Sequence, residues 1–316
     1  MDLKLVERIA NAVLYEGYLL YPYRPSAIKN RRRFNFGVIY PRDYGLAHDE
    51  LFCVQTECLA TSNWRMAFDV RLRFLHLTAR EGWQEAVERE VSAPALRMDD
   101  LLVEPLQMSF AFPTKRSSGA LCDPCMRGKR GEQEPINGSI EIAGRQVSER
   151  LFKITTRVLN LTPPADAPGA GRDEALKRSL VSAHTILCAR GGEFISLLDP
   201  PESLRDVAGS CRNIGTYPVL VGAEGERDTI LSAPIILYDY PQIAPESAGD
   251  LFDGTEIDEL LTLRILTLTD EEKREMRDVD EHARRILERT EAMSAEQLMK
   301  LHGAARDLRR VEGGVR

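Results

Sequence analysis

Alternation of apolar residues is the feature that most constrains this chain. The segments FCVQTECLA (52–60) and MAFDVRLRFLHL (66–77) alternate in large part with a period of two and are rich in β-branched and aromatic residues. Successive side chains of a β-strand point to opposite faces of a sheet, so this period predicts strands. Four later segments continue the pattern: EAVEREV (85–91), LQMSFAF (106–112), SIEIAG (139–144) and LFKITTRVLNL (151–161). We therefore predict a mostly antiparallel sheet or sandwich of about six or more strands.

Two low-complexity stretches divide the chain. Residues 113–139 are rich in glycine, serine, proline and charge, and they predict a long loop within the β-rich part. The second stretch, TPPADAPGAGRD (162–173), is the best candidate for a domain boundary. An amphipathic helix is predicted over residues 3–16. The first domain therefore spans residues 1–162, and a linker follows at 163–173.

The remaining residues, 174–316, predict a mixed domain. EALKRSLVSAHTILCA (174–189) indicates a helix that runs into a strand. More strands are predicted over GEFISLLD, YPVLVG and TILSAPIILYDY, and helices follow them. Thr269-x-x-Glu272 has the form of a helix capping box. The predicted fold class is α+β, with a β-rich N-terminal part that is sandwich-like or an antiparallel sheet, and a mixed second part that ends in a helical tail.

Composition and charge argue against several classes of protein. Hydrophobic residues make up 43% of the 316 residues, which predicts a folded core. The net charge is −7, whereas nucleic-acid-binding domains usually carry a basic balance, so nucleic acid is not expected as a partner. No apolar run is long enough to cross a bilayer, and the N-terminus lacks the pattern of a signal peptide. We expect a cytoplasmic protein.

The most suggestive chemical motif is CDPC, at residues 122–125. Cys122 and Cys125 could place both sulfurs on one metal ion or form a redox pair. A structural zinc site would need two more ligands, and Cys53 and Cys58 are poor candidates because residues five apart in a strand face opposite sides of the sheet. A thioredoxin-like motif needs a preceding strand and a following helix, and loop sequence flanks this one. A metal site, a redox pair and a loop with two incidental thiols therefore remain open.

No sequence motif names a reaction. The metalloprotease signature HExxH, the nucleophile elbow GxSxG, the phosphate-binding P-loop and the dinucleotide fingerprint are all absent. A triad of residues distant in sequence stays possible in principle, so the question of enzymatic activity is open. We expect a protein that is not an enzyme.

A basic and aromatic patch occupies YPYRPSAIKNRRRFNFGVIYP, residues 21–41. Three consecutive arginines, Arg31, Arg32 and Arg33, are framed by Tyr23 and Phe34. Arginine and tyrosine are enriched at protein interfaces, and a guanidinium can pair with carboxylates or stack on aromatic rings. RNA platforms also combine aromatics with arginine, but the acidic balance of the chain argues against one. We predict a partner-docking surface, with a charged strand edge as the structural alternative.

Several blocks taken together resemble one protein family. The blocks are EGYLLYPYRPSAIKNRRRFNFGVIYP, GGEFISLLDPP with CRNIGTYPVLVG, ILSAPIILYDYPQIAPESAGDLFDGTEIDELLTLRILTLTDEEK, and LMKLHGAARD. They resemble an uncharacterised accessory family that is encoded beside actinobacterial-type, high-affinity nickel–iron (NiFe) hydrogenases, and the likeness spans nearly the whole chain. The resemblance implies a role in hydrogenase assembly, maturation or operation, with a hydrogenase subunit or maturation factor as the partner. It implies no catalytic residues.

The CDPC motif departs from the pattern of the hydrogenases themselves. Their large subunits carry a metal-binding DPCxxC segment, and Asp123-Pro124-Cys125 matches its first half. Position 128 is glycine, and the second cysteine precedes the aspartate, at Cys122. The chain is therefore not a large subunit. The leading hypothesis is a non-catalytic accessory protein that docks on its partner, and the alternative is a small metal- or redox-active protein that uses Cys122 and Cys125.

Overall fold

The structure is a computed structural model. It describes seven ranges of the chain: residues 3–15, 37–80, 83–117, 131–163, 171–242, 265–279 and 281–292. The described residues belong to two compact units. The first covers the ranges from residue 3 to Gln242, and the second covers residues 265–279 and 281–292. The candidate site described below lies entirely in the first unit.

The described part of the first unit is built mainly of strands. Its strands are β1 (Cys53–Arg80), β2 (Trp83–Arg97), β3 (Leu106–Phe112), β4 (Lys115–Ser117), β5 (Gly131–Gln133), β6 (Ile136–Ser148), β7 (Leu151–Asn160), β8 (Val181–Ile195), β9 (Tyr217–Leu220) and β10 (Thr229–Ala233). Its helices are α1 (Leu3–Tyr15), α2 (Arg42–His48), α3 (Met98–Val103), α4 (Arg172–Lys177) and α5 (Arg205–Gly209), which a 3₁₀ turn at Glu202–Leu204 precedes. The β-rich α+β fold class is confirmed.

One antiparallel sheet contains all of these strands, and β1 is its axis. The order is β3-β6-β7-β1-β8-β10-β9, with β2 added to β1 and the short pair β4–β5 joined to the end of β1. The first part of β1 pairs with β7, its second part pairs with β2, and β8 pairs with both parts. Since β8 occupies one edge of β1, β7 and β2 follow each other along the opposite edge. The two segments predicted at 52–60 and 66–77 are thus one strand of 28 residues.

Strands on both sides of the predicted linker at 163–173 belong to this one sheet. β8, which follows the linker, pairs with β1 from Leu59 to Leu75, and it also pairs with β10. Residues 171–242 therefore share a compact unit with the β-rich part that precedes them, and the division between the units falls after Gln242. Composition predicted a domain boundary here because local sequence does not record which strands pair across the stretch.

Two predicted elements have different bounds in the structure. The predicted loop at 113–139 contains the paired strands β4 and β5 at its two ends, and β6 begins at Ile136; residues 118–130 lie outside the described ranges. The helix predicted from residue 174 ends at Lys177, and β8 begins at Val181. Residues 181–189 are all buried, and a continuous apolar run of this kind does not distinguish a buried strand from a buried helix.

The predicted N-terminal helix is confirmed as α1, which packs on one face of the sheet. Its apolar stripe of Val6, Ile9, Ala10 and Val13 is buried in one cluster with side chains of β8, β9 and β10. The opposite face of the sheet holds the larger core, in which Phe68, Phe74, Phe152 and Phe194 are fully buried. The sheet is therefore covered on both faces in this region.

The second unit contains two helices in its described part, α6 (Asp270–Val279) and α7 (Glu281–Glu291). The predicted capping box is confirmed at α6: the Thr269 amide donates to Glu272 Oε2 at 2.8 Å, and the Glu272 amide donates to Thr269 Oγ1 at 3.3 Å. Lys273 and Arg277 of α6 both pair with Glu291 of α7. Within the described ranges of the whole chain, no helix combines the length and apolarity that crossing a membrane would require.

Candidate functional site

The site residues predicted from the sequence lie outside the described ranges. They are Tyr23, Arg31, Arg32, Arg33, Phe34, Cys122 and Cys125. Their assignments to docking and to metal or redox chemistry therefore stay predictions. In the part of the chain that the structure describes, no three histidine, cysteine or acidic side chains are grouped as a metal site would need.

A gap in the hydrogen-bonded sheet is the most distinctive feature of the described surface. Within the described ranges, β2 pairs only with β1 and β3 pairs only with β6. The two strands nevertheless lie beside each other, because the guanidinium carbon of Arg89 on β2 lies 4.8 Å from the ring centroid of Phe112 on β3. Leu96, further along β2, lines a common cavity with Leu106 at the start of β3. The strands are thus antiparallel neighbours with no ladder between them.

We call this gap the open seam and define it by six apolar side chains that line it. They are Val91 and Leu96 of β2 and Leu106, Met108, Phe110 and Phe112 of β3. All six pack against the main core and remain partly exposed, whereas the core side chains Phe68 and Phe74 of β1 are completely buried. A missing neighbour strand explains the difference, since a strand on each side normally completes the cover of an inward side chain.

The end of the open seam near the start of β3 widens into an open cavity of about 780 Å³. The last residues of β2, the helix α3 and the first residues of β3 surround it. Val103 at the end of α3 lies on its rim and is 88% exposed. A single exposed valine is ordinary on a protein surface, but here it continues the apolar lining of the seam.

Aromatic packing holds β3 in place. The rings of Phe110 and Phe112 lie 6.3 Å and 5.7 Å from the ring of Phe74 on β1, the second with an edge-on geometry that aromatic pairs favour. Gly138 of β6 is directly opposite Phe110, and a Cβ atom at this position would overlap the Phe110 ring. The glycine is needed because it leaves the space that the ring fills.

The other end of the open seam is polar. The Arg89 guanidinium donates through Nη2 to Gln133 Oε1 at 2.7 Å, and Gln133 Nε2 donates to Thr78 Oγ1 at 3.4 Å. His76, on the same face of β1 as Thr78, is fully buried. Both of its ring nitrogens and Arg89 Nε are buried without a hydrogen-bond partner in the described structure. These four side chains form a buried polar cluster.

Burial lowers the pKa of His76 to about 4, and the positive charge of Arg89 acts in the same direction. The backbone groups of Glu134 and Lys177 lie near the ring and oppose the shift, although neither forms a hydrogen bond with regular geometry to a ring nitrogen. The imidazole is therefore neutral at pH 7. The cluster carries one positive charge, on Arg89.

No family model and no curated protein sequence matches the chain. The candidate site is therefore identified from the structure and not from related proteins. The sequence predicted β2 and β3 as strands, but it missed the open seam, because an alternating segment has the same pattern whether or not a neighbour covers its edge. His76 is fully buried, and the alternation of the strand that contains it does not reveal its polar neighbours.

A second polar network fastens the loop after α5 to the sheet. Lys153 Nζ of β7 donates to Glu57 Oε2 of β1 at 3.0 Å and to the carbonyl oxygen of Ser210 at 3.3 Å. Glu57 Oε2 also accepts the Arg212 amide at 2.8 Å, and Asn213 Oδ1 accepts the Glu57 amide at 2.8 Å. We call this network the loop clamp. These hydrogen bonds tie the loop to β1 and β7, so we assign the loop clamp a structural role.

The four cysteines within the described ranges are all free thiols. Cys58 and Cys188 are buried, and Cys53 and Cys211 are half-buried. Burial raises the pKa of all four thiols above the ordinary value. A protonated thiol is a poor nucleophile and a poor metal ligand, so these four cysteines are suited to packing.

We expect Cys58 to resist alkylation in the native protein. It is fully buried and its thiol is protonated at neutral pH, and both properties slow its reaction with iodoacetamide. Peptide mass spectrometry after native labelling should find Cys58 unmodified, Cys53 and Cys211 modified first, and all four modified after denaturation in urea. Rapid native labelling of Cys58 would show that the core around β1 opens easily.

Proposed function

We propose that the chain is a non-catalytic accessory protein that docks on a NiFe-hydrogenase subunit or maturation factor and acts in assembly, maturation or operation of that enzyme. The family resemblance described above points to the hydrogenase. The observation that supports docking is the open seam: unpaired edges of β2 and β3 beside six partly exposed apolar side chains.

The open seam exposes side chains that are typical of protein interfaces. Phenylalanine and methionine are among the residues enriched at protein interfaces, and Met108, Phe110 and Phe112 are partly exposed together on one strand. An unpaired strand edge is also a template for another chain, and soluble proteins usually protect such edges. An exposed apolar surface beside an unpaired edge is therefore a good place for a partner. The arginine and aromatic residues predicted as a docking surface would add a second, charged contact.

The decisive experiment is a pull-down from cells that express the hydrogenase operon, with the tagged chain as bait. We expect a hydrogenase subunit or a maturation factor to co-purify. Replacing Arg31, Arg32 and Arg33 together with alanine should weaken this co-purification. If they form a docking surface, the melting temperature should change by only a few degrees, because charges on such a surface contribute little to stability. Retention of other proteins only, with no hydrogenase component, would contradict the proposal.

Metal analysis of the purified protein tests the alternative function. Stoichiometric metal that is lost in Cys122→Ser would assign Cys122 and Cys125 to a metal site. A variant that keeps both its metal content and its co-purification would leave the accessory role as the better description. Strong, salt-dependent retention of nucleic acid by the native chain would favour the RNA-binding interpretation instead.

A further inference from the structure

The hydrogen-bond phase of β3 determines which backbone groups face the open seam. The Leu161 amide donates to the Asn137 carbonyl at 2.9 Å, so the polar backbone groups of Asn137 point toward β7. Directions alternate along an antiparallel strand, so those of Gly138 and Ile140 point toward β3. These two residues are directly opposite Phe110 and Met108. The backbone groups of Phe110 and Met108 therefore point toward β6. The N–H and C=O groups of the alternate residues of β3 point away from β6, into the open seam.

Three residues of β3 thus direct an N–H and a C=O into the seam: Gln107, Ser109 and Ala111. All three are exposed, and their backbone groups have no hydrogen-bond partner in the described structure. Their side chains point away from the core and carry no charge. These three N–H groups and three C=O groups lie on alternate residues, as they do along the unpaired edge of a β-strand. An added strand could form a ladder with them.

The strand at the other end of the sheet shows how this protein protects an edge. The Val221 amide donates to the Thr229 carbonyl, so the backbone groups of Leu220 point away from β10. Asp239 Oδ1 accepts the Leu220 amide at 2.8 Å, and the Leu220 carbonyl accepts the Tyr240 amide at 2.7 Å. Pro218, the other residue of β9 that faces outward, has no N–H to offer. Among the residues that the structure describes, the edge of β9 is blocked and no group covers the edge of β3.

We propose that the open seam binds one extended segment of a partner protein as an additional β-strand, hydrogen-bonded to Gln107, Ser109 and Ala111 of β3. This inference rests on the proposed docking function and names the form of the partner. Main-chain hydrogen bonds supply the affinity in this mode of recognition, and pockets for alternate side chains supply the specificity. The added strand would also cover the partly exposed side chains of the seam.

The lining of the seam defines the chemistry of the segment. Val91, Met108 and Phe110 face the space that its inward side chains would enter, so alternate residues of the segment must be apolar. Pro105 and Pro113 flank β3, which has seven residues, so the paired part spans at most seven. No proline is expected in the paired part, since each residue that faces β3 must donate its N–H.

The inference is tested by selecting from a display library of random twelve-residue linear peptides with the full chain as bait. Ser109→Pro removes one N–H that faces the seam and leaves the bonds between β3 and β6 intact, since proline is tolerated on the open side of an edge strand. Ser109→Ala keeps the N–H and is the matched control. We expect selected peptides to alternate apolar residues, and Ser109→Pro to weaken their binding by at least about tenfold, while Ser109→Ala binds as the native chain does.

A second measurement does not depend on how the variant folds. Peptides that are N-methylated at the alternate residues facing β3 should lose binding to the native chain, and methylation of the other residues should have little effect on this edge. Peptides with helical spacing of apolar residues, or peptides that bind equally well after N-methylation at either set, would overturn strand addition. Concentration-dependent dimerisation of the chain that Ser109→Pro abolishes, with no peptide selected, would also overturn it and assign the edge to a second copy.

The peptide selection tests strand addition, and the pull-down tests the hydrogenase partner, so the two hypotheses can be contradicted independently. Selected peptides that bind at Ser109, together with a pull-down that recovers no hydrogenase component, would support strand addition and overturn the hydrogenase partner. A pull-down that succeeds equally well with Ser109→Pro would support the accessory function and place the docking surface elsewhere.

Discussion

Replacing Lys153 with methionine is expected to destabilise the first unit by about 3–5 kcal/mol, the range for removing one partner of a buried ion pair. The Lys153 and Glu57 side chains are 7% and 15% exposed, and their charged atoms lie 3.0 Å apart. Without the ammonium group, the Glu57 carboxylate is left inside the loop clamp with the Arg212 amide as its remaining donor. Urea unfolding of the native chain and Lys153→Met measures the loss.

Two variants separate this effect from a general loss of charge. Lys177→Met removes the ion-pair partner of Glu174, and because the Glu174 side chain is 49% exposed, water solvates its carboxylate after the change. Stability should therefore fall by less than about 1 kcal/mol. Glu57→Gln combined with Lys153→Met removes both charges and should recover part of the loss, because no unpaired carboxylate stays buried. Equal destabilisation by Lys153→Met and Lys177→Met would contradict the role assigned to the loop clamp.

The loop clamp also predicts a dependence of stability on pH. Burial raises the pKa of Glu57, but hydrogen bonds from the Arg212 amide and from Lys153 more than offset it, so the net pKa lies below the usual value. A carboxylate with a lowered pKa in the folded state stabilises the protein above its unfolded pKa of about 4.3, and this stability is lost as the pH falls through the folded pKa. The native chain should therefore lose more stability in acid than Glu57→Gln does.

Asn160→Asp is expected to destabilise the first unit by about 3 kcal/mol or more. Asn160 is fully buried at the end of β7, where its Nδ2 donates to the carbonyl oxygens of Ile39 at 2.8 Å and Arg178 at 2.9 Å. Its Oδ1 accepts the Thr162 amide at 3.0 Å. An aspartate has the same shape but no donor, so each of the two carbonyl groups loses one hydrogen bond and faces a buried carboxylate. Burying a carboxylate without a positive partner costs several kcal/mol.

The control for Asn160→Asp is the same chemical change at Asn137. This residue lies on the neighbouring strand β6, and its side chain makes no hydrogen bond within the described structure. Asn137→Asp should change the unfolding free energy by less than about 1 kcal/mol. The deficit of Asn160→Asp should shrink toward low pH, because a protonated carboxyl group regains a donor. A deficit that is constant with pH would indicate that shape or packing, and not the lost donor, causes it.

Local patterns predicted most of the elements and little of their arrangement. The alternation in MAFDVRLRFLHL and LQMSFAF identified parts of β1 and β3, and the apolar stripe of α1 identified that helix, because these signals are set by residues a few positions apart. Pairing of β8 with β1 across the 163–173 stretch is a long-range property. The open seam cannot be predicted from local patterns either, because it is defined by hydrogen bonds that β2 and β3 do not form with each other.

The candidate site could be predicted only in part for the same reason. Arginines, aromatics and a CxxC spacing are visible in a sequence, so Arg31 and Cys122 became candidates, and they remain so. Exposed N–H groups at Ser109 have no sequence signature, because every residue except proline carries one. A sequence therefore reveals binding sites made of side chains more readily than binding sites made of backbone N–H and C=O groups.

The length of β1 has a consequence for how the chain is made. β1 is synthesised before β7 and β8, which complete its edges and begin at Leu151 and Val181. Until those residues leave the ribosome, the nascent chain presents a 28-residue strand with many apolar side chains, and its main partner is β2. Pairing between segments so distant in sequence is slow, and unpaired strands of this kind aggregate during folding. Biosynthesis of this protein should therefore depend on chaperones that hold the nascent strand.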